Sequence, residues 1–153
     1  MGKIISTSIV INAKPEKVRE VFLDFKSHSE WDPFITRIEV YKPRESGVVK
    51  PGNQLLIDLT SPDGKVVTMY PIVLENSETL FSWHGKLTFD LIFGGSHSFE
   101  FQPRQNSDGS ISTTLIQKEE FSGVLVPIFN SFLDSVEQRF IAVNEALKRR
   151  VEA

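Results

Sequence analysis

No cysteine occurs anywhere in the sequence, which removes disulfide bridges, thiolate metal sites and cysteine nucleophiles together. The absence is compatible with a reducing compartment, and a cytoplasmic location is the expectation. Strong charge of either sign is also lacking, since 17 Lys and Arg stand against 20 Asp and Glu. A nucleic-acid binder needs a concentrated basic surface, and the only dense basic run is "LKRR" near the C-terminus. Lys148, Arg149 and Arg150 there complement the negative end of a last helix. Long hydrophobic runs are missing, so stable membrane insertion is not expected. The start "MGKIISTSIVI" has neither the apolar core nor the small-residue cleavage site of a signal peptide. Gly2 and Ser6 fit a loose myristoylation pattern, but the same residues serve at once as a strand. Only three histidines occur, His28, His84 and His97. They fall on a helix-end turn, an outer strand face and an inner one, so no metal site is expected.

What is present is an ordinary 40% of hydrophobic residues with twelve phenylalanines and two tryptophans, enough for one domain over residues 1–153. Lys3 to Ile11 alternates and is β-branched, which predicts a first strand. In "NAKPEKVREVFLDF" Pro15 suits a first helical turn, and Val18, Val21, Phe22 and Phe25 recur at helical spacing. "SHSEWDPF" predicts a second short helix or turn, stopped by Pro33.

Six strand-like runs follow, from "ITRIEVY" to "STTLIQKEEF", separated by Gly, Pro, Asn and Asp turn chemistry. Pro71 inside "VVTMYPIVL", the fourth strand counting the first, removes a ladder donor and predicts a bulge or an edge there. From Pro127 the longest helix is expected, its stripe formed by Phe129, Phe132, Leu133, Val136, Phe140, Val143 and Leu147. These elements predict an α+β fold in which a curved seven-stranded antiparallel sheet wraps around the long C-terminal helix, with two short helices closing one end. Curling leaves a space between sheet and helix for a ligand.

Strand parity sorts the groups facing that space. His97 shares a face with Phe99 and Phe101, and Gln117 and Glu119 share one with Leu115 and Phe121. Phe81 and Trp83 point inward, which sends His84 outward unless a bulge at Gly85 reverses it. Three readings of His97, Gln117 and Glu119 stand side by side: a buried structural pair, the polar end of a ligand site, or a proton-transfer pair of His97 and Glu119. Trp31, Phe34, Phe81, Trp83, Phe93, Phe99, Phe129 and Phe132, with Val136, come from separate elements. They form either a dense core or the lining of a site for a flat apolar molecule. "KLTFDLIFGGS", with Leu91, Ile92 and Phe93, and "FSGVLVPIF", with Val124, Leu125 and Val126, read equally as a gate over the pocket mouth or as packed hairpin tips.

Four stretches, "INAKPEKVREVFLDFKSHSEWDPFI", "LFSWHGKL", "IFGGSHSFEFQP" and "TTLIQKEEFSGVLVPIF…NEALKRRVE", give the chain a family likeness over nearly its whole length. It resembles the START-like, helix-grip superfamily called SRPBCC, and within it the polyketide cyclase/dehydrase and lipid-transport branch. The resemblance implies a hydrophobic tunnel between sheet and helix and no shared catalytic motif. The function it implies is binding of a small hydrophobic molecule, lipid- or polyketide-like, without a cofactor. The alternative is a cofactor-independent enzyme of the cyclase, dehydratase or aldol type using the same pocket.

Overall fold

The computed structural model describes residues 2–42, 48–87 and 93–153, except for the side chains of Lys86, Leu87, Phe93, Phe129, Asn130 and Phe132. Strand β1 (Lys3–Ile11) is followed by helix α1 (Pro15–Leu23), which opens on Pro15 and buries Val18 and Phe22. The chain tightens into a 3-10 helix over Phe25–Glu30. Asp32 then ends the helical stretch. Its Oδ1 accepts hydrogen bonds from the main-chain N–H groups of Phe34 and Ile35 at 2.8 and 2.9 Å.

Strands β2 (Ile35–Val40), β3 (Leu55–Thr60) and β4 (Val66–Met69) form one antiparallel sheet in that order. Strands β5 (Ile72–Asn76), β6 (Leu80–Leu87), β7 (Phe93–Gln105) and β8 (Ile111–Ser122) form the other, ordered β1-β8-β7-β6-β5. The run expected as one fourth strand thus divides at Pro71 into β4 and β5, giving eight strands among the described residues where seven were expected. Pro71 has no N–H to donate, yet its carbonyl accepts from Leu55 at 2.8 Å, and Val73 donates to Asn53 at 2.8 Å. Those two bonds join the sheets into one curved surface where the sequence expected a bulge or edge.

A 3-10 turn, Val126–Phe129, leads into α2 (Asn130–Glu152). Pro127 sits in that turn, so the helical path starts where the sequence placed it, but the α-helical ladder begins only at Asn130. Leu133, Val136, Phe140, Val143 and Leu147 are buried as their spacing predicts. The helix is fastened to β1: Lys148 donates to the carbonyl of Val10 at 2.9 Å, and Glu152 accepts from the N–H of Asn12 at 3.0 Å.

The interior separates into two apolar clusters. The larger holds Phe22, Phe81, Trp83, Phe99, Phe101, Leu115 and Leu147. The smaller holds Ile5, Phe121, Val126, Leu133, Val136 and Phe140. Val126, one of the residues read as gate or packed tip, is therefore packed, while Val124 beside it is exposed. Leu91 and Ile92, and the side chain of Phe93, lie outside the described residues.

Candidate functional site

Between the two clusters runs a belt of polar side chains contributed by four elements. On β1, Thr7 stands between Ile5 and Ile11, one in each cluster. On β8, Gln117 and Glu119 stand between Leu115 and Phe121, and on α2 Asn144 stands between Phe140 and Leu147. The fourth element is β7, whose His97 is directly opposite Glu119 in the β7–β8 register, with Phe99 opposite Gln117. The inward parity of His97, Gln117 and Glu119 is as the alternation predicts, because no register shift interrupts this ladder.

The hydrogen bonds of the belt have a fixed direction. Gln117 Nε2 lies 3.2 Å from the carbonyl oxygen of Phe140 and 2.7 Å from Asn144 Oδ1. A carbonyl only accepts, so the amide nitrogen must face Phe140 and Oε1 must face the imidazole. His97 Nε2 therefore carries a proton and donates it to Gln117 Oε1 at 3.0 Å. Further along, Asn144 Nδ2 donates to Thr7 Oγ1 at 2.9 Å, and Thr7 donates to the carbonyl of Gln117 at 3.4 Å. At the other end, His97 Nδ1 is 3.5 Å from Glu119 Oε2.

The environment favours neutral forms at that end. The imidazole lies against Phe99 with ring centres 4.7 Å apart, and Trp83 and Phe140 lie at 5.0 and 4.8 Å. Burial pushes the Glu119 carboxyl up to about 7. Burial likewise lowers His97 to about 4, against the opposing pull of its hydrogen bond with Gln117 and of the Asp32 charge. A protonated Glu119 can donate to the lone pair on Nδ1, which completes a chain with one direction from Glu119 to Thr7. Gly95 leaves room for this carboxyl, since a Cβ there would fall 2.5 Å from Glu119 Oε1.

The belt is buried in its middle and partly exposed at both ends, Thr7 being half-buried. Gln117 and Asn144 are buried, while the side chains of His97 and Glu119 keep 13% and 18% of their surface exposed.

The expected aromatic residues divide. Phe81, Trp83 and Phe99 converge around His97 and Phe22. Trp31 stacks on His28 at 4.3 Å, on another side of Phe22. It lines an open groove of about 490 Å³ with Lys17, Val21, Asp24, Arg150 and Val151. Phe34 is half-buried beneath the guanidinium of Arg139, 5.4 Å from its ring centre. Val136 is buried in the smaller cluster. The side chains of Phe93, Phe129 and Phe132 lie outside the described residues. His84 faces away from the belt, with Nδ1 2.8 Å from Ser96 Oγ, because Gly85 pairs regularly with Gly95.

His28, read from sequence as a residue on a helix-end turn, is fully buried. Its Nδ1 meets the carbonyl oxygen of Phe22 at 3.2 Å and its Nε2 meets Asp32 Oδ2 at 3.0 Å. This pair locks the turn after α1. The three histidines are in three separate surroundings, and among the described residues no group of three His, Asp or Glu could hold a metal ion. Nor is any helix of the described residues long and apolar enough to cross a membrane. Sequence reasoning missed Thr7 and Asn144. Asn144 had a signal, being four residues after Phe140 and three before Leu147 on the buried stripe.

A family model described as polyketide cyclase / dehydrase and lipid transport matches residues 3–152. The chain belongs to that family. Among solved structures, it resembles the Zhui aromatase/cyclase of a Streptomyces species at 13% identity, covering 99% of this chain and 94% of that one with a TM-score of 0.74. A START superfamily protein from Mycobacterium smegmatis is 20% identical over 97% of each chain, TM-score 0.71. Ara h 8.0201 is 15% identical over 99% of this chain and 98% of that one, also at 0.71. Likeness at these identities establishes the shared helix-grip fold. No curated protein sequence matches the chain.

Proposed function

We propose that this family member is a cytoplasmic binding protein for a small hydrophobic molecule, lipid- or polyketide-like, held between the sheet and α2 without a cofactor. Phe81, Trp83, Phe99 and Val136 contact its apolar body. His97, Gln117 and Glu119 meet its polar end. The observation that carries the reading is the polar belt itself: it runs between the two apolar clusters and is partly exposed at the Glu119–His97 pair. Trp31 and Phe34 belong to the approach to the site in this reading.

Val136→Trp places a large ring beneath α2 in the proposed space. Uptake of the neutral fluorescent dye N-phenylnaphthylamine should weaken about tenfold or more, since a well-packed interior yields little room for added volume. Unchanged dye affinity in a variant with a normal melting curve would refute the proposed placement.

A second reading is a cofactor-independent enzyme of the cyclase, dehydratase or aldol type. It is favoured by the opposite displacements of Glu119 and His97, which leave an acid and a base side by side near neutral pH. Turnover by the wild-type protein that Glu119→Gln abolishes while binding persists would establish this second reading, because an amide cannot serve as the acid.

A further inference from the structure

The geometry points to a ligand that is uncharged and presents a hydroxyl hydrogen to Glu119, so that the site discriminates against carboxylates and other anions; this rests on the binding reading above. The direction of the belt carries the argument. Phe140 is anchored by its carbonyl, which can only accept, and this fixes the Gln117 amide, the Nε2 proton of His97 and the lone pair on Nδ1 in turn. Whatever arrives at the partly exposed Glu119 end must therefore suit Nδ1 and the two oxygens of Glu119.

Two protonation states of Glu119 give the same answer. With a proton on Oε2, that proton serves Nδ1, and Oε1 remains as an acceptor. Without it, both oxygens and Nδ1 are acceptors. In each case the free positions are lone pairs, and a ligand O–H satisfies them. If the carboxyl turned its proton toward a ligand carbonyl instead, Nδ1 would be left facing no donor in an aromatic surrounding of Trp83, Phe99 and Phe140.

An anion fares worse. The groups facing the pair from the elements packed around it are Trp83 on β6, Gly95 and Phe99 on β7, Gln117 and Phe121 on β8, and Phe140 on α2. With Ile5 on β1, which pairs with Glu119, none of these described groups carries positive charge. The charged groups near His97 are the carboxylates of Glu119, 3.5 Å from Nδ1, and Asp32, both negative when ionised. A ligand carboxylate would meet like charge or lone pairs with no cation to offset its desolvation.

Three probes on one ring system test the inference: naphthol, methoxynaphthalene and naphthoate, each titrated into the whole protein at about pH 6 and followed by fluorescence. Naphthol should bind about tenfold tighter than methoxynaphthalene, which can only accept, and about a hundredfold tighter than naphthoate. Glu119→Gln should keep this order, because its amide can donate to Nδ1 and still present an oxygen to the ligand. Glu119→Leu should remove the preference for naphthol over methoxynaphthalene. Equal affinities in the wild-type protein, or naphthoate binding best, would overturn the inference while leaving the binding reading in place. If none of the three binds up to its solubility limit, the binding reading itself falls, and this inference with it.

Discussion

A chain ending at Leu125 is expected to have no folded state. Without α2, the larger cluster loses Leu147 and Val151, and Leu133, Val136 and Phe140 leave the smaller one with little but Ile5 and Phe121, since Val126 is lost as well. Full burial of each large apolar side chain contributes about 1.5–3 kcal/mol, so these side chains together amount to roughly 10 kcal/mol. A domain's whole net stability is about 5–15 kcal/mol. Polar losses add to this. Gln117 Nε2 would lose both the Phe140 carbonyl and Asn144, and Thr7 would lose the donor on Asn144. The truncated chain should show no cooperative thermal transition and should aggregate or be degraded on expression. A soluble product with a sharp melt would mean that the sheet and α1 make a sufficient core by themselves.

The second large effect is a pH-dependent difference between the wild-type protein and Glu119→Gln. The Glu119 carboxyl has an ordinary value of 4.5 and is pushed to about 7 by folding. Between those values the folded protein holds a proton that the unfolded chain has released, so stability falls as pH rises through the window. Fully expressed, the loss is about 3 kcal/mol. His97 works in the opposite sense. Its value drops from 6.5 to about 4, so the unfolded chain binds a proton that the folded one lacks, and stability falls as pH decreases through that range. The two slopes nearly cancel from about 4.5 to 6.5, where both windows overlap. The substituted amide retains the shape of the carboxyl but cannot ionise, so Glu119→Gln removes only the first slope. Relative to wild type, the variant should gain roughly 2–3 kcal/mol between about pH 4.5 and pH 7.5, read from denaturant titrations of both proteins. A difference that stays constant across pH would mean that Glu119 titrates normally and the belt ends in a carboxylate.

Much of this architecture was legible because two periods are written plainly into the chain. Alternation in β7 and β8 placed His97, Gln117 and Glu119 on the inner face, and the three-and-four spacing of Leu133, Val136, Phe140, Val143 and Leu147 identified the buried side of α2. Periodicity fails where regular structure ends. Trp31 and Phe34 flank the short connection between the first 3-10 helix and β2, where no repeat fixes the facing of a side chain; Trp31 packs at the edge of the cluster that holds Trp83, and Phe34 lies beneath Arg139. Pro71 signalled a break, but only the carbonyl bond to Leu55 makes that break a junction between sheets. The partners of the belt were hidden for another reason. Asn144 and Thr7 are short polar residues on elements that otherwise read as an ordinary helix and an ordinary strand, and their contact spans 137 positions of sequence. Gly95, which admits the Glu119 carboxyl, carried its reason in the opposite strand rather than in a turn.

The central claim is that the Glu119 end of the belt receives a ligand's polar group. Its most direct test is an NMR titration of the intact protein with naphthol, following the side-chain amide of Gln117 and the imidazole of His97. The account predicts that both resonances shift and saturate together, with the same dissociation constant that fluorescence gives. Saturable binding that leaves both unmoved, with shifts confined to the groove beside Trp31 and Arg150, would contradict it.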